Sequence, residues 1–225
     1  MPQWPMQQWR WPTWVDQLHN LIASPHLLAE RQKWRAKYSP QLSYGRHFSP
    51  PGPFAKPAAV MVMLQVQNDC ENWKQATIPL TVRPTHLPDH PGQISFPGGR
   101  VEKEESEQQA AAREFEEELG VKPFPGRVIG QLQPIWVYNS DYILTPFVSV
   151  FPGSIQYHPC EHEVARLIHL PVAELLSSTT HVSRISRGSV SWDTNVFRYG
   201  DDNVWGATGI VLGELAAILR TLVCL

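Results

Sequence analysis

Gly99-Arg100-Val101-Glu102-Lys103-Glu104-Glu105-Ser106-Glu107-Gln108-Gln109-Ala110-Ala111-Ala112-Arg113-Glu114-Phe115-Glu116-Glu117-Glu118-Leu119-Gly120-Val121 reads as a loop that runs into a helix. Ser106 and Gln109 have capping-box spacing, which specifies the helix start. Gly120 is the residue that ends it. The spacing predicts a helix over 106–119. Ala111, Phe115 and Leu119 recur every four residues and form its buried stripe. Glu114, Glu117 and Glu118 lie at i, i+3 and i+4, on one face beside that stripe. Glu116 lies roughly 160° around from Glu118, at about 100° per residue, and should face away.

Three carboxylates on one face repel one another. A solvated face would intersperse lysines, and this one offers only Arg113. A hard divalent cation with oxygen ligands, Mg²⁺ or Mn²⁺, relieves that repulsion. Arg113 precedes Glu117 by four residues and can orient it through a bidentate contact. Glu105 can brace Arg113 from the other side. Glycines in Pro97-Gly98-Gly99 let the backbone approach closely, and a free carbonyl there can complete a metal shell.

Gly99, Glu105, Arg113, Glu114, apolar Phe115, Glu117, Glu118, Gly120 and apolar Val121 together resemble the Nudix box. Residue types at background frequencies of roughly 6–7% make a chance match at these positions negligible. The resemblance implies an α/β fold, a Nudix-type α/β/α sandwich with a mixed sheet. It implies a metal-dependent hydrolase of nucleoside diphosphates linked to another group. The implied metal ligands are Glu114, Glu117, Glu118 and the carbonyl of Gly98. The ion would offset the diphosphate charge and activate water for in-line attack on phosphorus. Arg113 and Glu105 would support the catalytic group. Glu117 and Glu163 are both candidates for the general base, which varies among such enzymes.

Upstream, Leu80-Thr81-Val82-Arg83 and His90-Pro91-Gly92-Gln93-Ile94-Ser95-Phe96-Pro97-Gly98-Gly99 resemble the second motif of the coenzyme A diphosphatase branch. Thr145-Pro146-Phe147-Val148, Glu163-Val164 and Val204-Trp205-Gly206-Ala207-Thr208 extend the likeness over roughly residues 56–222. The implied activity is hydrolysis of coenzyme A to 3′,5′-ADP and 4′-phosphopantetheine. Pro79, Pro84 and Pro88 depart from the branch pattern, which bears on coenzyme A selectivity more than on hydrolysis. Arg83 and Arg100 read either as phosphate-binding residues or as surface salt-bridge residues. His90 and Gln93 read as residues that shape the substrate loop. The alternatives are a Nudix hydrolase of ADP-ribose, NADH or other nucleoside diphosphate derivatives, and a non-catalytic ligand-binding module. Intact Glu114, Glu117 and Glu118 count against the module. His158, Cys160 and His162 alternate beside Glu161 and Glu163, but that spacing does not resemble a zinc motif.

The rest of the chain fits this reading. Its 225 residues suffice for one domain plus an extension. A net charge of -2 gives no bulk attraction to nucleic acid or membrane. Three scattered cysteines, Cys70, Cys160 and Cys224, indicate no disulfide framework, which fits a cytoplasmic location. No secretory signal is visible. The implied partner is a small nucleoside diphosphate substrate, and a homodimer is compatible with it.

Residues 1–55 read as a Trp-rich extension and 56–225 as the hydrolase domain. Trp4, Trp9, Trp11 and Trp14 crowd the start. A helix is expected over about 13–37, kinked or split at Pro25. Its role is either packing on the domain, the favoured reading, or a substrate or dimer contact. The loop around Ser49-Pro50-Pro51-Gly52-Pro53 marks the boundary. Strands are expected over 58–66, 78–82, 127–137, 142–151, 163–170 and 192–199. Residues 84–99 read as a loop, 171–176 as a short helix, and the last helix should start near Thr208. That helix is apolar, but Glu214 and Arg220 interrupt it, so it reads as packed rather than membrane-spanning.

Overall fold

The computed structural model describes residues 11–40, 50–66, 72–87, 90–122, 127–187 and 190–224. Pro2, Trp4, Pro5, Trp9, Ser49, Cys70, Pro88 and Leu225 lie outside these residues.

The centre is a mixed sheet. Strand β1 (Lys56–Val66) runs parallel to β7 (Tyr142–Pro152) along its whole length, from Lys56 opposite Tyr142 to Val66 opposite Pro152. Antiparallel strands surround this pair. β2 (Thr77–Val82) joins β1, and β3 (Ile94–Ser95) joins β2. β4 (Gly98–Arg100) also pairs with β1, and β8 (Arg166–Pro171) with β2. β5 (Arg127–Gln131) and β6 (Ile135–Val137) both pair with β7.

β1 is buried on both faces because helices cover both. Ala59, Met61 and Met63 meet Ala111, Phe115 and Leu119 of helix α3 (Glu107–Leu119) on one side. Val60, Val62 and Leu64 face the larger core on the other side. Three helices close that core: α1 (Thr13–Ala23), α2 (Leu28–Tyr38) and α5 (Gly206–Val223). The result is an α/β/α sandwich in which period-two strands and period-3.6 helices present their apolar sides to one another. A short helix, α4 (Val172–Ser177), follows β8. Strands β9 (His181–Arg187), β10 (Val190–Tyr199) and β11 (Asp202–Val204) form a separate antiparallel sheet.

The N-terminal helices are part of the core. Trp14, Val15, Leu18 and Ile22 recur at helical spacing, and all are buried. Tyr38 is fully buried and stacks on Phe197 of β10 at 4.0 Å between ring centroids. The expected helix is split at Pro25, whose ring cannot continue α1; a 3₁₀ turn over Pro25–Leu27 leads into α2. α5 is long and apolar enough to cross a membrane by length and composition. Its buried residues include Ile210, Val211, Leu215 and Ile218, all fully enclosed by the rest of the protein.

Glu214 of α5 is fully buried as well. Arg31 Nε and Nη2 donate to Glu214 Oε1 at 2.8 and 2.6 Å, and Arg35 Nη1 donates to Oε2 at 2.5 Å. Arg31 also donates to the carbonyl of Ile22, and Arg35 to those of Gln133 and Pro134, while Arg35 Nε is buried without a partner among the described residues. Charge this deeply buried is tolerable because it is paired and mostly hydrogen-bonded.

Several boundaries differ from the sequence expectation. The strand expected over 127–137 is two strands on β7: Leu132 N–H still donates to Pro146 O, but Pro134 has no N–H with which to continue the ladder into β6. The loop expected over 84–99 contains β3 and the start of β4. The strand expected from Glu163 begins at Arg166; residues 161–163 form a turn instead, closed by Val164 N donating to Cys160 O. β9 and β11 were not expected.

Candidate active site

The box helix carries the centre of the site. Its start is fixed by both capping-box bonds: Ser106 N–H donates to Gln109 Oε1, and Gln109 N–H to Ser106 Oγ. Gly120 ends it at φ 67°, a left-handed conformation that glycine adopts without strain. The following chain returns to cap the helix, as His158 N–H donates to Leu119 O and Cys160 N–H to Glu118 O, both at 2.8 Å. The His158–His162 segment therefore serves as a C-terminal brace for α3, and its turn carries Glu163.

Arg113 organises the outer side of the helix. It donates to Glu105 at 2.8 and 3.1 Å, to Glu114 Oε1 and Glu117 Oε2 at 2.9 Å each, and to the carbonyl of Arg100 at 3.0 Å. The guanidinium holds Glu105 below the usual carboxylate range. In turn these carboxylates raise the pKa of Arg113 itself. Glu116 faces away, 3.7 Å from Lys122 on the surface.

Glu118 is the buried member of the face, 6% exposed. Its Oε1 accepts from Gly98 N–H at 3.3 Å. Burial pushes its pKa up to about 7, against the Gly98 bond and with help from the charges of Glu114 and Glu163. Glu114 is raised too, first by burial, although Arg113 opposes the shift. Gly98 and Gly99 sit where a larger residue would not fit. A Cβ on Gly98 would stand 2.3 Å from the carbonyl of Ala59, and one on Gly99 2.4 Å from the carboxyl carbon of Glu114.

A cleft of about 1110 Å³ opens beside this face. Glu114, Glu118, Gly98 and Glu163 line it, together with Arg83, Arg100, His90 and Gln93. The structure thus brings eight of the sequence-predicted residues to one cavity. Glu105, Arg113 and Glu117 stand outside its lining, linked to it through Arg113. His90 Nδ1 and Gln93 Oε1 are 2.8 Å apart, and the backbone of Arg83 bonds to both Gly92 and Gln93, so this loop is internally tied. Tyr138, Trp192, Trp205 and Thr208 also line the cleft, and the sequence reading gave none of them a site role.

Among the described residues, no three acidic, histidine or cysteine side chains stand close enough together to hold a metal ion. The donor chemistry nevertheless suits one. Glu114 and Glu118 are hard oxygen ligands whose raised pKa values record charge crowded in a buried place, and a divalent cation relieves that condition.

The NUDIX domain model matches residues 56–188. The chain belongs to the Nudix hydrolase family, whose members cleave pyrophosphate bonds in nucleoside diphosphate derivatives and generally use divalent metals such as Mg²⁺ or Mn²⁺. An uncharacterized Nudix hydrolase, NudL, of Yersinia enterocolitica is 35% identical over 144 residues, which is 63% of this chain and 73% of that protein. NudL of Enterobacter sp. strain 638 is 35% identical over 151 residues, covering 64% and 75%. Among solved structures, the Nudix hydrolase RenU of M. smegmatis aligns with a TM-score of 0.49 at 15% identity, over 76% of this chain and 86% of that one.

Proposed function

We propose that this chain is a divalent-metal-dependent diphosphatase of coenzyme A or its derivatives, releasing 3′,5′-ADP and 4′-phosphopantetheine. One observation carries the reading. Glu114 and Glu118 of the box and residues of the Arg83–Gln93 motif, which resembles the coenzyme A branch, line one cleft of about 1110 Å³. Such a volume, near the top of the roughly 300–1,000 Å³ range of small-molecule sites, leaves room for a ligand of coenzyme A size.

Glu114, Glu118 and Glu117, with the carbonyl of Gly98, are the oxygen donors that would hold Mg²⁺ or Mn²⁺. When bound, the ion offsets the diphosphate charge and supplies an activated water. Glu114 and Glu117 both accept from Arg113, so Arg113 and Glu105 set the orientation in which these carboxylates are presented. Glu163 is favoured over Glu117 as the group that accepts the proton, because Glu163 lines the cleft and Glu117 does not. Arg83 and Arg100 supply positive charge for the substrate phosphates, while the His90–Gln93 pair fixes the loop between them.

The test is a substrate panel. Purified protein with Mg²⁺ or Mn²⁺ is incubated with coenzyme A, ADP-ribose and NADH, and products are read by mass spectrometry. Cleavage of coenzyme A is the expected result. Coenzyme A left intact beside cleaved ADP-ribose overturns the substrate assignment. Absence of turnover on every diphosphate overturns the catalytic reading in favour of a ligand-binding module.

A further inference from the structure

Trp192 and Trp205 stand edge to face, with ring centroids 5.7 Å apart and planes at 72°. Trp192 belongs to β10, the middle strand of the small sheet, and Trp205 immediately precedes α5. Both rings line the cleft that holds Glu114, Glu118 and Glu163. Both lie beyond residues 56–188, the span of the NUDIX domain match.

Neither ring is spent on the core: each is only partly buried, whereas Val196, Phe197 and Val204 close by are buried. An edge-to-face pair engages the face of one ring and the edge of the other, so it can still accept a third flat ring. Trp192 Nε1 is buried and has no hydrogen-bond partner among the described residues. A buried indole N–H ordinarily has one. The chain next to each tryptophan is anchored. Phe197, on the same strand as Trp192, stacks on Tyr38, and Thr208 Oγ1, just after Trp205, donates to Ile94 O at 2.9 Å. Two aromatic rings, partly open and lining the same cleft as Glu114 and Glu118, make a surface for a flat heteroaromatic group.

We propose that Trp192 and Trp205 form the subsite for the purine base of the substrate, which stacks on the indoles while its diphosphate lies toward Glu114 and Glu118. The inference rests on the diphosphatase reading above and adds the part of the substrate that this chain selects. Stacking favours a planar base over a flexible pantetheine arm, which has no ring face to offer. Removing one aromatic platform costs about 1–3 kcal/mol per base, or roughly five- to 150-fold in affinity.

The probes are 5′-AMP, which has no anhydride to cleave, and ribose 5-phosphate, which carries the same phosphate without a base. Titration calorimetry on the full chain with Mg²⁺ measures both. In the wild-type protein AMP binds about tenfold or more tighter than ribose 5-phosphate. Trp192→Leu and Trp205→Leu each lower AMP affinity about tenfold and leave ribose 5-phosphate unchanged, while Trp205→Phe retains most of the affinity. Equal wild-type affinity for the two probes overturns the proposal, and so does a leucine variant of native circular dichroism that binds AMP as the wild type does. Turnover of diphosphates without AMP preference removes the base subsite alone. AMP preference without turnover on any diphosphate removes the catalytic reading and keeps the subsite.

Discussion

Arg31 Nη2 lies 2.6 Å from Glu214 Oε1, joining the second helix of the chain to the last one inside the core. Arg35 reaches the other oxygen of the same carboxylate, and the three side chains are between 0% and 7% exposed. Glu214 is therefore the shared counter-charge of two buried guanidinium groups.

Replacing Glu214 with Gln leaves both arginines buried without an anion. The expected loss is about 3–5 kcal/mol of unfolding free energy. Urea denaturation followed by circular dichroism reads it directly, and a midpoint within error of the wild type would contradict the burial of this triad. Deleting residues 1–39 should be worse, since it also uncovers the faces that Trp14, Leu18 and Ile22 now protect.

Glu118 should show opposite effects on stability and on turnover. Its carboxyl, pushed up to about 7 from an ordinary 4.5, binds more protons in the folded than in the unfolded protein between those values. Stability of the chelator-treated protein therefore falls as pH rises from about 4.5 to about 7, by up to about 3 kcal/mol. Glu118→Gln mimics the neutral form, so it should raise the melting temperature above pH 7 in chelator. The same variant should lower turnover by roughly a hundredfold or more. A melting temperature that rises with pH in the wild type, or near-normal turnover in the variant, would refute the corresponding half.

The paired glycines give a sharper contrast. Gly99→Ala places a methyl against the carboxylate of Glu114, a side chain that can swing aside. Turnover and Mn²⁺ affinity should fall about tenfold or more, with stability within about 1 kcal/mol of wild type. Gly98→Ala meets the backbone of Ala59 and Val60 at φ 154°, where nothing can swing aside. That variant should lose several times as much stability, as thermal melts of the two side by side will show.

Arg113→Lys keeps the charge and loses the fork. One ammonium cannot serve Glu105, Glu114, Glu117 and the Arg100 carbonyl together. Metal affinity or turnover should drop about ten- to a hundredfold. A proton-base role for Glu163 predicts that Glu163→Gln changes kcat more than KM; wild-type kinetics in that variant would remove it from the site.

What the sequence made legible was local. Ser106, Gln109 and Gly120 specify α3 through bonds that span only a few residues, and its stripe and carboxylate face follow from helical spacing. β4 was illegible because Gly98 and Gly99 have no side chains to show a pattern; they pair with β1 through backbone alone. β9 was hidden for another reason. Of this strand, residues 181–186 are largely exposed, and it is supported by its antiparallel partner β10. Arg31 and Arg35 look like surface residues of an ordinary charged helix, and only the arrival of Glu214 makes them internal. Likewise Trp192 and Trp205 meet only because β10, β11 and the start of α5 fold back together.

The link between Arg31 and Glu214 spans 183 residues of chain. A ribosome adding about 5–20 residues per second makes the arginines wait roughly ten to forty seconds for their counter-charge. Throughout that interval the apolar sides of α1 and α2 have no α5 to cover them. The core is thus completed only once α5 has been made, and the emerging chain depends on chaperones or on its own solubility until then.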